Sequence, residues 1–144
     1  MFVLRVEAEV RPTESEERVV EAIRKIVDVD VKIVDVGSGY RVAVGESTDV
    51  ACLRRLYTLL RQERILDAAR AYAMRFRRGN TLELKLHKQA AYAGHLSFVT
   101  YDDESPLGPI RLTVISDKLD EIVDWLAPPT SQGRPIWEKP MPSV

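Results

Sequence analysis

Residues 2–27 read FVLRVEAEVRPTESEERVVEAIRKIV, and two different periods meet within this stretch. From residue 2 to residue 10 apolar and charged side chains alternate, with Phe2, Leu4, Val6, Ala8 and Val10 on one face and Arg5, Glu7 and Glu9 on the other. That spacing predicts a half-buried strand, ended by Pro12, whose missing N–H cannot continue a ladder. Thr13 and Glu16 then stand at capping-box spacing, and Val19, Val20, Ile23, Ile26 and Val27 recur at helical intervals, predicting a first helix.

Outward from there the same two periods alternate along the chain. Residues 29–36 and 40–44 read as strands joined at Gly37, Ser38 and Gly39, a hairpin pattern. Ser47, Thr48 or Asp49 can cap a second helical region in which Val50, Leu53, Leu56, Tyr57 and Leu60 share a face. Between residues 63 and 78 the stripe Ile65, Ala69, Tyr72 and Phe76 defines a core face, and Gly79 is placed to cap the helix end. Residues 81–86 read as a strand, 87–94 as a connection, 95–101 and 110–115 as two more strands, with the acidic run 102–105 and Pro106, Gly108 and Pro109 between them. Asp117 caps a last helix carrying Leu119, Ile122, Val123 and Leu126, and from Pro128 onward no period remains. The order predicts an α+β fold: a two-layer domain, 1–127, with a largely antiparallel sheet packed on helices, followed by an extended C-terminal arm, 128–144.

At 144 residues, 45% hydrophobic and 30% charged, the chain has the make-up of one globular domain. By surface scaling roughly two-thirds of its area is buried on folding. It has no apolar run approaching the ~18 residues a bilayer span needs, so no membrane association is expected. The first ten residues alternate instead of presenting a basic head and an apolar segment, so no secretory signal is visible and a cytoplasmic location is expected. Cys52 is the single cysteine, which excludes an internal disulfide and a cysteine metal cluster. Fifteen arginines beside one asparagine and three glutamines lean toward a heat-adapted source.

Charge is distributed unevenly. Residues 54–95 hold ten Arg or Lys against three Asp or Glu, a net +7, while the segments on either side each sum to −4. Arginine presents a permanently charged donor fork that fits phosphate oxygens, so Arg54, Arg55, Arg61, Arg64, Arg75, Arg77 and Arg78 are candidate phosphate contacts. Lys85 and Lys88 extend the set, Gln89 is placed to read a base edge, and Tyr92 offers a ring for stacking. The competing reading is a solvated scaffold: long Arg stems cover the flanks of an apolar stripe, Ala90, Ala91 and Ala93 pack on a helix, and Tyr92 is core. His87 and His95 lack the i, i+4 spacing of a zinc pair, and no phosphate-cradling loop or serine elbow is present, so no metal, cofactor or catalytic residue is assigned. An enzyme would have to use His87 or His95 with Asp102 or Asp103 as acid and base. A further alternative is an interaction subunit or homodimeric scaffold in which the basic helices meet an acidic surface and the arm is exchanged.

Four stretches carry a resemblance: VEAEVRPTESEERVVEAI at 6–23, ILDAAR at 65–70, LHKQAAYAGHLSF at 86–98 and SPLGPIRLTV at 105–114. Together they resemble uncharacterised protein family 0201, a set of small archaeal proteins, over residues 1–127. Its most specific parts are the runs Lys88-Gln89-Ala90-Ala91 and Leu107-Gly108-Pro109-Ile110. The resemblance implies a fold like that of ribosomal protein L-five and an RNA partner; the expectation of a homodimer or a larger ribonucleoprotein assembly comes instead from the basic helices and the arm. It carries no catalytic residue, and the family shows a neutral polar residue where this chain has His87.

Overall fold

The computed structural model describes residues 1–144. In chain order its elements are β1 (Phe2–Val10), α1 (Glu16–Ile26), β2 (Val31–Gly37), β3 (Tyr40–Ser47), a 3-10 turn (Val50–Leu53), α2 (Arg54–Gln62) and α3 (Leu66–Phe76). They continue with β4 (Arg77–Arg78), β5 (Thr81–Leu86), α4 (Lys88–Tyr92), a second 3-10 turn (Asp102–Glu104), β6 (Ile110–Ser116), α5 (Leu119–Leu126) and a small hairpin of β7 (Thr130–Ser131) and β8 (Arg134–Pro135). Six strands form one sheet in the order β2-β3-β1-β6-β5-β4, every neighbouring pair antiparallel. The protein is therefore α+β, a sheet with helices layered on one face.

Alternation decides which face is covered. Leu4, Val6 and Ala8 of β1, Leu112 and Val114 of β6, and Leu82, Leu84 and Leu86 of β5 are buried beneath the helices. With Ile23, Leu53, Leu56, Leu60, Ile122 and Trp125 they join one cluster of 34 buried apolar residues. The opposite face carries the odd-numbered side chains, where Glu7 lies beside Arg111, which in turn lies beside Lys85. Its charges pair across strands, as in Arg5 with Glu46 at 3.3 Å, and with the adjoining turn, as in Lys85 with Asp102 at 3.0 Å. Opposite charges placed side by side on a sheet stabilise pairing by a few tenths of a kcal/mol each and leave little net potential, ~0.2–1 kcal/mol per pair.

Several boundaries differ from the sequence expectation. Helix α1 is capped by Ser15, not Thr13, because Glu14 folds back on Arg11 through two hydrogen bonds of 2.9 Å and the chain enters the helix two residues later. Helix α3 stops at Phe76: Arg77 and Arg78 leave it to pair with Leu82 and Thr81, and Gly79, at φ +59°, makes the hairpin turn instead of a helix cap. Residues 87–94 contain helix α4, capped when the Ala90 N–H donates to His87 Nδ1 at 3.3 Å. Residues 95–101 are not a strand of the sheet. Only Phe98 bridges to Leu86, while the Val99 N–H donates to the Lys85 carbonyl at 3.0 Å, because this segment rounds the end of β5 to put Phe98 against Tyr72. Asp117 does not cap α5; it takes the N-terminal ammonium of Met1 at 3.2 Å. Residues 128–144 fold back on the domain, with Met141 packed against the core. No helix is long and apolar enough to cross a membrane.

Candidate functional site

Helices α2 and α3, the bend between them and the short strand that follows carry the arginine cluster, and the structure sorts its members into two groups. One group is spent on the protein itself. Arg61 stacks on Tyr57, its guanidinium 3.5 Å from the ring centre, and donates to the carbonyls of Trp125 at 3.3 Å and Leu126 at 3.1 Å and to Glu138 at 2.6 Å. Arg55 lies 3.8 Å from Asp28 and donates to the Arg24 carbonyl. Arg77 pairs with Asp120 and donates to the Gly79 carbonyl at 3.0 Å. Lys85 is held by Asp102, whose carboxyl sits below the usual range because Lys85 hydrogen-bonds it and Arg111 adds its charge.

Lys88 belongs to the same group and is withdrawn from solvent altogether. It opens helix α4 two residues past the end of β5, where it is 0% exposed. Its ammonium donates to Glu14 at 2.9 Å and to the carbonyls of Glu9 at 2.7 Å and Leu107 at 2.5 Å. Tyr92 also ends on Glu14, through its hydroxyl, with Arg18 over its ring at 5.3 Å. Burial pushes the Lys88 ammonium below its ordinary range against the pull of Glu14, and burial with the Glu14 carboxylate pushes the Tyr92 hydroxyl well up. Burial raises the Glu14 carboxyl, but hydrogen bonds from Tyr92, the Arg11 N–H and Lys88 outweigh it and hold the group below 4.5. The Lys88 N–H donates to Ser105 Oγ, which donates on to the Gly108 carbonyl. The runs at 88–91 and 107–110 thus meet at one buried ion pair. Lys88 as a phosphate contact and Tyr92 as a free stacking ring are accordingly replaced by structural roles.

The second group is free. Arg54, Arg64, Arg75 and Arg78 are exposed and take no part in the ion pairs that quench their neighbours, and Gln89 is exposed as well. Arg64 occupies the α2–α3 bend at φ +55°, facing a groove that it shares with Arg61, Arg134 and Glu138. Arg75 lies over the ring of Phe76, 4.9 Å from its centre. The eleven candidate residues therefore do not form one open patch: five are available and six are bound within the fold.

The histidines are likewise engaged in the fold. His87 caps α4, and His95 Nδ1 lies 2.9 Å from Glu63, whose carboxyl is drawn below its usual range by that contact and by the Leu96 N–H. Cys52 is buried, and burial pushes its thiol up to about 11.

Two features escape the sequence. Arg55 reaches the Arg24 carbonyl across 31 positions, so the basic last turn of α1, Arg24 and Lys25, adjoins the first turn of α2. A cleft of 240 Å³ also opens at the sheet edge between α3, β4, β5 and Thr100, lined by Tyr72, Phe76, Arg78, Thr81, Glu83 and Lys85. Tyr72 and Phe76 match a core stripe by spacing, and nothing local distinguishes a covered aromatic from one at the rim of a sheet whose edge strand is two residues long.

A family described as RNA binding matches residues 3–116. A UPF0201 protein of Metallosphaera sedula is 47% identical over 95% of each chain. One from Aeropyrum pernix is 50% identical over 96% of this chain and 93% of its own. Their alignments, 137 and 140 residues long, extend beyond residue 127 into the arm, farther than the sequence motifs suggest. Among solved structures, the 2.2 Å crystal structure of a UPF0201 protein from Methanococcus jannaschii superimposes with a TM-score of 0.82 at 28% identity, covering 93% of this chain and 98% of that one.

Proposed function

The chain belongs to the RNA-binding family whose model spans residues 3–116, and from that membership we propose that it is a non-catalytic RNA-binding protein gripping phosphates with the arginines its own acids leave unpaired. Arg54, Arg64, Arg75 and Arg78 are the contacts, with Gln89 near a base edge and Arg24, whose carbonyl Arg55 holds, as an added cation. The family match carries this reading. The division of the arginines supports it, because a purely structural basic cluster would have its members paired, and four are not. Exposed guanidinium groups release counterions from a phosphate backbone, so binding is salt-dependent in proportion to the number engaged.

Titration of a fluorescent single-stranded RNA against salt tests it. Four engaged arginines give a log–log slope of about −3, from ~0.7 per phosphate contact on single strands. Replacing Arg54, Arg64, Arg75 and Arg78 with Gln together flattens the slope. Absence of association at low salt, or a slope indifferent to the four replacements, overturns the assignment.

A second reading, a subunit that pairs with another copy, is favoured by β2. This strand forms one edge of the sheet, and Val34 and Val36 on it are exposed beside Tyr40. Exposed apolar edge strands are templates for pairing. Light scattering that returns a monomer at all concentrations removes this reading.

A further inference from the structure

The cleft at the β5 edge has a composition that a bare phosphate site would not have. Strand β4 pairs only two residues of β5, Thr81 and Leu82, so beyond them the edge of β5 is closed by side chains instead of a strand. The Tyr72 hydroxyl accepts from the Lys85 N–H at 3.4 Å and donates to the Val99 carbonyl at 2.6 Å. These contacts fix an aromatic wall in which Tyr72 lies 4.4 Å from Phe76 and 5.0 Å from Phe98, between ring centres. Arg75 is stacked over Phe76, and Arg78, free of any carboxylate, lines the cleft. On the remaining side stand Glu83, Thr81 and Thr100. Lys85 does not add a free charge, since Asp102 holds it at 3.0 Å and Glu83 lies 3.8 Å away.

An inorganic anion would meet the Glu83 carboxylate, and of the cleft's two cations only Arg78 is unpaired and free to hold it. A ligand with a flat apolar ring, N–H donors on its edge and an anionic group attached satisfies all the parts at once: the ring against Phe76 and Tyr72, the donors on Glu83 and the threonines, the anion on Arg78. Those are the parts of a nucleotide. Single-stranded RNA offers them when a base leaves the stack, and aromatic and guanidinium faces are the usual platforms for such a base. We infer that this cleft receives one unstacked base of a single-stranded RNA, with Phe76 and Tyr72 as the stacking platform, Glu83 reading the base edge and Arg78 holding the adjoining phosphate. The inference rests on the RNA-binding reading above and deepens it by making single strands, not duplexes, the preferred partner.

The test compares the wild type with Phe76→Leu, Glu83→Gln and Arg78→Gln, using a single-stranded RNA 12-mer containing one 2-aminopurine and a duplex of the same length. Phe76→Leu keeps the apolar volume and removes the ring; the other two change exposed or half-exposed polar groups, so they report even if the first variant folds poorly. Phe76→Leu is expected to weaken single-strand binding about tenfold to a hundredfold while leaving the salt slope unchanged, because stacking involves no counterion release. Arg78→Gln lowers the slope by about 0.7. Glu83→Gln changes which base is preferred at the reporter position, and 2-aminopurine fluorescence changes on binding to the wild type but not to Phe76→Leu. If the wild type binds RNA and both Phe76→Leu and Glu83→Gln leave affinity and base preference unaltered, the cleft is not a base site while the RNA reading stands. Equal affinity for duplex and single strand also overturns it, and a wild type that binds neither RNA removes both.

Discussion

Lys88 shows how much one residue's placement decides. A lysine with no solvent exposure is tolerated because three oxygens, of Glu14, Glu9 and Leu107, replace its water. The Glu14 side chain is itself only 4% exposed. Removing one partner of such a pair leaves an uncompensated charge, so Lys88→Met is expected to cost ~3–5 kcal/mol, read as a melting temperature ~10–15 °C lower. The double variant Lys88→Met with Glu14→Leu is expected to recover only part of that loss, since it removes the lone charge but leaves the Glu9 and Leu107 carbonyls, the Tyr92 hydroxyl and the Arg11 N–H without these partners. The pair also sets a pH dependence. Glu14 titrates lower in the fold than its ordinary 4.5, so the unfolded chain binds the extra proton in between. The stability it contributes is fully present above pH 4.5 and is lost as pH falls through the lower folded value. In urea unfolding, Glu14→Gln is therefore expected to be less stable than the wild type at pH 7, with the gap narrowing steadily below pH 4.5.

Among the elements, the bend between α2 and α3 joins stability to the proposed binding surface. Arg64 sits there at φ +55°, a conformation that costs a residue with a Cβ about 1–2 kcal/mol. Arg64→Gly is expected to raise stability by ~0.5–1 kcal/mol, the relieved strain less the extra freedom of the unfolded chain. The same change removes one exposed cation and should reduce the RNA salt slope by about 0.7. Chemical denaturation and RNA titration on this single variant thus move in opposite directions if Arg64 contacts phosphate. Strand β3 offers a contrasting position: a Cβ on Gly45 would lie 2.9 Å from the Asp30 carbonyl and 3.0 Å from Val6, backbone and core with no room to yield. Gly45→Ala is expected to lose ~1–3 kcal/mol by overpacking, measured in the same denaturation series.

For the molecule as a whole, the C-terminal residues act as a strap. Arg61 ties α2 to the end of α5 through the Trp125 and Leu126 carbonyls and to the arm through Glu138, with Tyr57 stacked between it and Trp125. A chain ending at Ala127 is expected to melt lower by ~2–3 kcal/mol equivalent, because charged hydrogen bonds and the packing of Met141 go together. Arg61→Ala in the shortened chain should add less than in the full one, as the two changes remove a shared contact. An exchanged arm predicts a different result: light scattering would show the full chain as a dimer and the shortened one as a monomer.

The chain alone determined the periods, and with them the strands and most helices. Strands β1 and β5 fall on the residues that alternation marks, because a side chain's face in a strand depends only on its parity. The sequence also carried the basic excess at 54–95. Only the tertiary structure decided which of those charges remain available. Arg55, Arg61 and Arg77 meet acids at Asp28, Glu138 and Asp120, partners 27 to 77 positions away that the sheet order and the packing of α5 and the arm bring within reach. Residues 95–101 alternate well enough to suggest a strand, yet they meet the β5 edge only around Phe98, because the Tyr72 hydroxyl takes the Lys85 N–H that a longer ladder would use. Local spacing sets the direction of a side chain; chain closure sets what it faces, and the free arginines and the aromatic cleft are properties of closure.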